Sequence, residues 1–121
     1  MEKNNDVFVR ILELCQTGLE GLEHIHKKTM EGQFEETAPL FRDVFSSFRE
    51  IDNTLQTTLP QEKRNLLLPF TLSVVKAFKV MMEAYKQEQN IKPLEVLQFT
   101  LLPYYRKWVE EIEACLKKNG A

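Results

Sequence analysis

A chain of 121 residues with 43% hydrophobic and 28% charged side chains has the size of one domain and the composition of a globular protein, which excludes a disordered chain. Its net charge of −2 argues against general affinity for nucleic acid or for anionic lipid. The charge is uneven, with six basic and eleven acidic side chains in residues 1–59 against ten and seven in residues 60–121, as expected of two halves that attract each other on packing.

The opening residues Met1 to Asp6 are polar and lack an apolar segment followed by a small-residue cleavage site, so no secretory signal is read there. Asp6 is a suitable N-cap for a first helix running to Glu31, with Gly32 as its stop. Phe8, Ile11, Leu12, Cys15, Leu19, Leu22, Ile25, His26 and Met30 recur at three- and four-residue steps and define the buried face. Arg10, Glu13, Glu20, Glu23, His24, Lys27 and Lys28 fall on the opposite, solvated side. Gly18 and Gly21 on this helix are expected to allow close approach of a neighbour.

A second helix is predicted over 34–56, with Glu35 and Glu36 suited to the positive end of its dipole. Its stripe is Phe34, Ala38, Phe41, Val44, Phe45, Phe48, Ile51 and Leu55. Pro39 complicates the start, because a helix already running there would lose a hydrogen bond, and Thr37 is the alternative first residue. The third helix is predicted over 60–89, with Pro60 at its first position and a stripe of Leu67, Phe70, Val74, Ala77, Phe78, Met81 and Tyr85. Its apolar arc is wider than one core face needs, since Leu68, Leu72, Val75, Val80 and Met82 lie beside or behind that stripe. The run from Leu66 to Val75, broken by Pro69, Thr71 and Ser73, is too short to span a bilayer. A fourth helix is predicted over 93–118, burying Leu94, Leu97, Leu101, Tyr105, Trp108, Ile112 and Cys115.

Four amphipathic helices with short turns and no alternating strand pattern predict a single all-α domain over 1–121, an antiparallel up-down-up-down four-helix bundle. Three prolines inside predicted helices, Pro39, Pro69 and Pro103, are each expected to free a carbonyl one turn earlier and to bend the helix, either wrapping it round the core or opening a groove.

Glu23-His24-Ile25-His26 contains the Glu-x-x-His pairing of di-metal bundles, but a full site needs a second copy and two more inward carboxylates. The chain has two histidines, and His24 faces away from His26. His26 is instead expected at the core edge, hydrogen-bonded to Tyr85 or Thr37. Glu20 with Glu23, and Glu110 with Glu113, have the spacing of magnesium-holding pairs, yet both pairs face away from their own apolar stripe. Cys15 and Cys115 form no CxxC, and Cys15 is expected level with Trp108 in an apolar layer that raises a thiol pKa. With four glycines in all no phosphate-cradling loop can be built. No catalytic residue, metal ligand or cofactor is therefore assigned.

What remains is surface. Leu68, Leu72 and Val75 on the third helix, and Val96, Phe99 and Pro103 on the fourth with Leu102 at the margin, form a candidate interaction surface. The expectation is a cytoplasmic, non-enzymatic protein-interaction module, adaptor- or chaperone-like, that binds a protein partner or a second copy of itself, with no nucleic acid and no membrane. A bundle binding a small ligand or metal in a pocket near His26, Tyr85 and Tyr105 is the alternative, and a magnesium-dependent nucleotide hydrolase a remote one. In size and layout the chain looks like many small helical bundles, export chaperones of secretion systems among them, and no motif assigns it to a family.

Overall fold

The computed structural model describes residues 2–87 and 90–120, with side chains described over 6–87 and 90–117. Among these residues there are four helices and no strand: α1 (Glu2–Met30), α2 (Ala38–Thr58, entered through a 3-10 turn at Glu35–Thr37), α3 (Gln61–Tyr85) and α4, which joins Pro93–Val96, a π segment at Leu97–Leu101 and Leu102–Gly120. The protein is an all-α four-helix bundle.

Each boundary has a local cause. α1 begins at Glu2, a turn ahead of the expected Asp6 cap, because Lys3-Asn4-Asn5 contains neither Gly nor Pro to stop propagation toward the N-terminus. It ends where Gly32 adopts a φ of +80°. There Gln33 N–H bonds to the Lys28 carbonyl at 2.8 Å and Gly32 N–H to that of Thr29 at 3.1 Å, the paired closure that a left-handed glycine permits. Pro60 is the extended residue just before α3 rather than its first member, and its carbonyl accepts from Lys63 and Arg64 N–H. α3 closes at Tyr85, with Gln87 in the left-handed region; the expected end at Gln89 lies outside the described residues.

The three prolines fare differently. Pro39 occupies the first turn of α2, where a missing N–H costs nothing, so it is not interior; the 3-10 turn before it reconciles a start near Phe34 with one at Thr37. Pro69 is interior to α3, and both it and Asn65, one turn below, are exposed, so the carbonyl it leaves unpaired lies on the solvent side. Pro103 follows the π segment, in which Leu102 N–H bonds to the Leu97 carbonyl five residues back. The wider turn gives room to a ring that would otherwise press on the Phe99 carbonyl.

Contacts fix the register. Lys63 Nζ donates to the Cys115 carbonyl and Trp108 Nε1 to Thr71 Oγ1, so α3 and α4 run in opposite chain order. Thr37 meets Tyr85 and Arg64 meets Gln56, which orders α2 and α3 the same way. Gly21 faces Val44 while Val7 to Leu14 lie beside Glu50 and Thr54, reversing α1 against α2. One core draws on all four helices. At its centre Trp108, fully buried, packs against Phe48 and Tyr105 at ring separations of 4.7 and 5.3 Å. Its N–H is satisfied by Thr71 at 3.0 Å, which removes the penalty an unpaired buried donor would carry.

About two thirds of the residues in the predicted stripes are buried, and all the others but Met30 are half-buried. Met30 is 59% exposed at the last turn of α1, where no neighbouring helix remains to cover it. α3 as a whole, 25 residues with a stretch of mean hydropathy 1.4, is long and apolar enough by those two measures to cross a membrane, a property that the ten-residue run considered from sequence did not reveal. In the bundle one face of it, Leu67, Thr71, Val74, Phe78 and Met81, is committed to the core.

Candidate functional site

The candidate surface divides on folding. Leu68 and Leu72 are 47% and 49% exposed and Phe99 69%, and Pro103 is exposed. Val75 and Val96 are half-buried against the core. Leu102 is a correction: it is 4% exposed and belongs to the core. A uniform 100° step per residue put it at the margin, but the π segment holds one more residue per turn and shifts the phase of everything beyond it, so that Leu101 and Leu102 both turn inward.

The two halves of that surface also lie apart. Arg64 and Met82 meet α2, whereas Lys63 and Phe70 meet α4, the latter with Lys107 Nζ 6.0 Å from its ring centre. Steps of three and four residues from Arg64 through Leu68, Leu72, Val75 and Lys79 to Met82 place the exposed leucines on the α2 flank of α3. Continuing the register of Thr71 with Trp108 sets Phe99 level with about residue 80, about 12 Å along the axis from Leu72 at 1.5 Å per residue. Leu72 and Phe99 are two sites, not one.

The α2 flank carries a feature that sequence reasoning missed. Between α2 and α3 opens a groove of about 410 Å3 lined by Ala38, Phe41, Arg42, Phe45, Met82, Tyr85 and Lys86. α2 and α3 approach less closely than α1 and α2 or α3 and α4 do, and the reason is the rings between them. Phe78 contacts Phe41, Phe45 and Phe48 at 5.6, 5.2 and 5.2 Å, and Tyr85 contacts Phe41 at 4.9 Å and Phe34 at 4.1 Å. The sequence signal was present in the spacing of Phe41, Phe45 and Phe48, but it gave only a buried stripe and not the helix separation those rings impose.

His26, Tyr85 and Tyr105 do not form a pocket. Tyr105 is 1% exposed, and its hydroxyl donates to the Cys15 carbonyl at 3.1 Å across the α1–α4 contact. Gly18 makes this possible, because a Cβ there would collide with the Tyr105 hydroxyl. Tyr85 lies at the other seam, 2.6 Å from Thr37 Oγ1. The single Thr37 hydroxyl hydrogen goes to the Phe34 carbonyl, so Tyr85 is the donor. Burial pushes the Tyr85 hydroxyl pKa up, and the Thr37 bond draws it partly back. The bond expected between His26 and Thr37 or Tyr85 is therefore absent, since those two satisfy each other, and His26 Nε2 is buried without a partner among the described residues.

The carboxylate pairs do not converge. Glu23 is exposed and binds Arg106 of α4 at 3.1 Å, an exposed pair worth about 0–1 kcal/mol; Glu20 and Glu110 are exposed. Glu113 is half-buried and near enough to Cys15 for its charge to act there, so it faces α1 rather than away from the bundle. The Cys15 thiol is pushed up to about 12, first by burial and then by Glu113, which leaves it protonated and unreactive at neutral pH. Among the described residues no three His, Cys, Asp or Glu side chains gather where they could hold a metal ion.

No curated protein and no solved structure matches the chain. Residues 6–111 match a family model described as a domain of unknown function, DUF8042. That match spans the bundle from the first described side chain of α1 to the middle of the last segment of α4, and the chain belongs to this family.

Proposed function

We propose that the chain is a non-enzymatic protein-interaction module, adaptor- or chaperone-like, acting in the cytoplasm and engaging a protein partner through apolar side chains that the bundle leaves uncovered. The observation that carries this reading is the excess on the α2 flank of α3: Leu68 and Leu72, one turn apart, are 47% and 49% exposed, where isolated exposed apolar residues are ordinary but adjacent ones on one flank are not; Leu66, 63% exposed, lies on the α4 flank. Phe99, 69% exposed on α4, is a second contact point. Each exposed leucine or phenylalanine costs solvation that a partner would recover, at about 25 cal/mol per Å2 covered.

The test compares wild type with Leu72→Lys and Phe99→Lys, each checked for unchanged helicity. Light scattering gives the mass of each in solution, and affinity capture from the native cytosol gives the partners retained. A partner, or a second copy, bound by wild type and released by either substitution is the expected result. Identical mass and identical retained proteins across all three would sink the proposal.

A further inference from the structure

The groove between α2 and α3 combines shape and charge in one place. Its floor is aromatic and apolar: Phe41, 3% exposed, with Phe45, Met82 and Tyr85 half-buried around it. Its rim is basic. Arg42 and Lys86 line the opening, and steps of three and four residues along the same flanks add Arg49 on α2 and Lys79 on α3, both exposed. Among the described residues none of these four cations forms an ion pair. The acids nearby are Glu35, whose carboxylate accepts from Gln87 Nε2 at 3.0 Å beside Lys86, Asp52, half-buried on that flank of α2, and Glu83, exposed on α3. In a chain of net charge −2, four cations without ion pairs against three acids leave this apolar groove with a local excess of positive charge.

The apolar floor also continues beyond the groove. Met82, Val75, Leu72 and Leu68 follow one another down the α2 flank of α3, with Lys86 and Lys79 in the same row. From Lys86 to Leu68 this row is about 27 Å long at 1.5 Å per residue, the length of an 18-residue helix. We infer that the α2–α3 groove is a docking site for an acidic amphipathic helix of a partner protein, whose apolar stripe covers Phe45, Met82 and Leu72 while its carboxylates meet Arg42, Arg49, Lys79 and Lys86. Charge complementarity selects this occupant. A twofold dimer through the same face would set these four cations against their own copies, and a concave aromatic floor fits the ridge of a helix better than a flat lipid surface.

This inference rests on the protein-interaction reading and narrows it to one groove and one chemistry. The experiment is selection of binders from a display library of random 18-residue peptides, run in parallel on wild type and on Arg42→Glu/Arg49→Glu, whose exposed positions leave the core untouched. The retained wild-type pool should be enriched in Asp and Glu flanking apolar residues at three- and four-residue steps. A representative peptide should bind wild type at least ten-fold more tightly than the double variant, and should weaken as salt is raised. A pool without acidic enrichment, an equal pool from the double variant, or no binders at all would overturn the inference. So would binding of phosphatidylglycerol vesicles that Arg42→Glu/Arg49→Glu abolishes while no peptide is retained, which assigns the groove to a membrane surface. If Leu72→Lys or Phe99→Lys still releases a partner while the peptides fail, the interaction reading stands and only the groove assignment falls.

Discussion

Along α1, Gly18 and Gly21 bring the neighbouring helices close enough that a Cβ at Gly18 would strike the Tyr105 hydroxyl and one at Gly21 would lie 2.7 Å from a Val44 methyl carbon. Between α2 and α3, Phe41, Phe45, Phe48, Phe78 and Tyr85 fill the space instead. Both seams exclude water from the core. The glycine seam does so by seating the Tyr105 and Val44 side chains against the bare backbone of α1, with a smaller opening of about 200 Å3 between residues 7–14 and residues 50–54 further along, whereas the ring seam holds its helices apart and leaves the outer edge of the rings uncovered. The α2–α3 groove is thus a by-product of large side chains at a helix–helix contact, with no lid or missing element required.

The contrast can be broken from either side. The largest effect is expected in the ring seam, where Phe78 is fully buried against three other rings: Phe78→Ala should cost about 3–5 kcal/mol in urea unfolding, and a loss under about 1 kcal/mol would mean that the seam is loosely filled. In the glycine seam, Gly18→Ala should displace Tyr105 from the Cys15 carbonyl and cost about 1–3 kcal/mol, although alanine favours helix by about 1 kcal/mol. The same substitution made on Tyr105→Phe should cost less, because the hydroxyl it strikes is gone. Equal costs in the two backgrounds would refute the close-contact account.

A pH effect follows next in size. The Cys15 thiol ordinarily ionises near 9 but when folded holds its proton to about 12, so between these values only the unfolded chain gains by losing it. Its contribution to stability is whole below pH 9 and declines as pH rises through that window. Burial raises Tyr105 in the same direction. Thermal melts at pH 8 and 10.5 should show the decline, and Cys15→Ala should flatten it in part. A slope that the substitution leaves unchanged would place the titration elsewhere. Smallest of all, Leu72→Lys should change stability by about 0.5 kcal/mol or less, since Leu72 is 49% exposed; a larger loss would mean that its side chain is part of the core.

The sequence made the bundle readable because burial in a helix follows a fixed angular step. Phe8 through Ile25, Phe41 through Leu55, Leu67 through Met81 and Tyr105 through Cys115 obey it. What broke the step could not be read. Leu102 turned inward because the five residues before it are wound at a different pitch, and Pro39 became harmless because a 3-10 turn intervenes before α2. The candidate site was legible only in part for a different reason. Spacing along one helix gave Leu68, Leu72 and Phe99 as uncovered, but whether they belong together depends on the register between helices. The partners of His26, Tyr85 and Thr37 depended on side-chain reach across the bundle, and sequence periodicity carries no information on that.

The π segment of α4 has a consequence for how the chain tolerates changes in length. One surplus residue is stored between Leu97 and Leu101, so deleting a single residue there would let the stretch rewind as ordinary α-helix without breaking it. Because the wider turn takes up that residue within a single revolution, Pro93–Val96 would keep its angular place about the helix axis. The stored residue therefore works as slack in the chain, and it is the place where a one-residue deletion would leave both the hairpin tip and Tyr105, Trp108 and Ile112 in their seats.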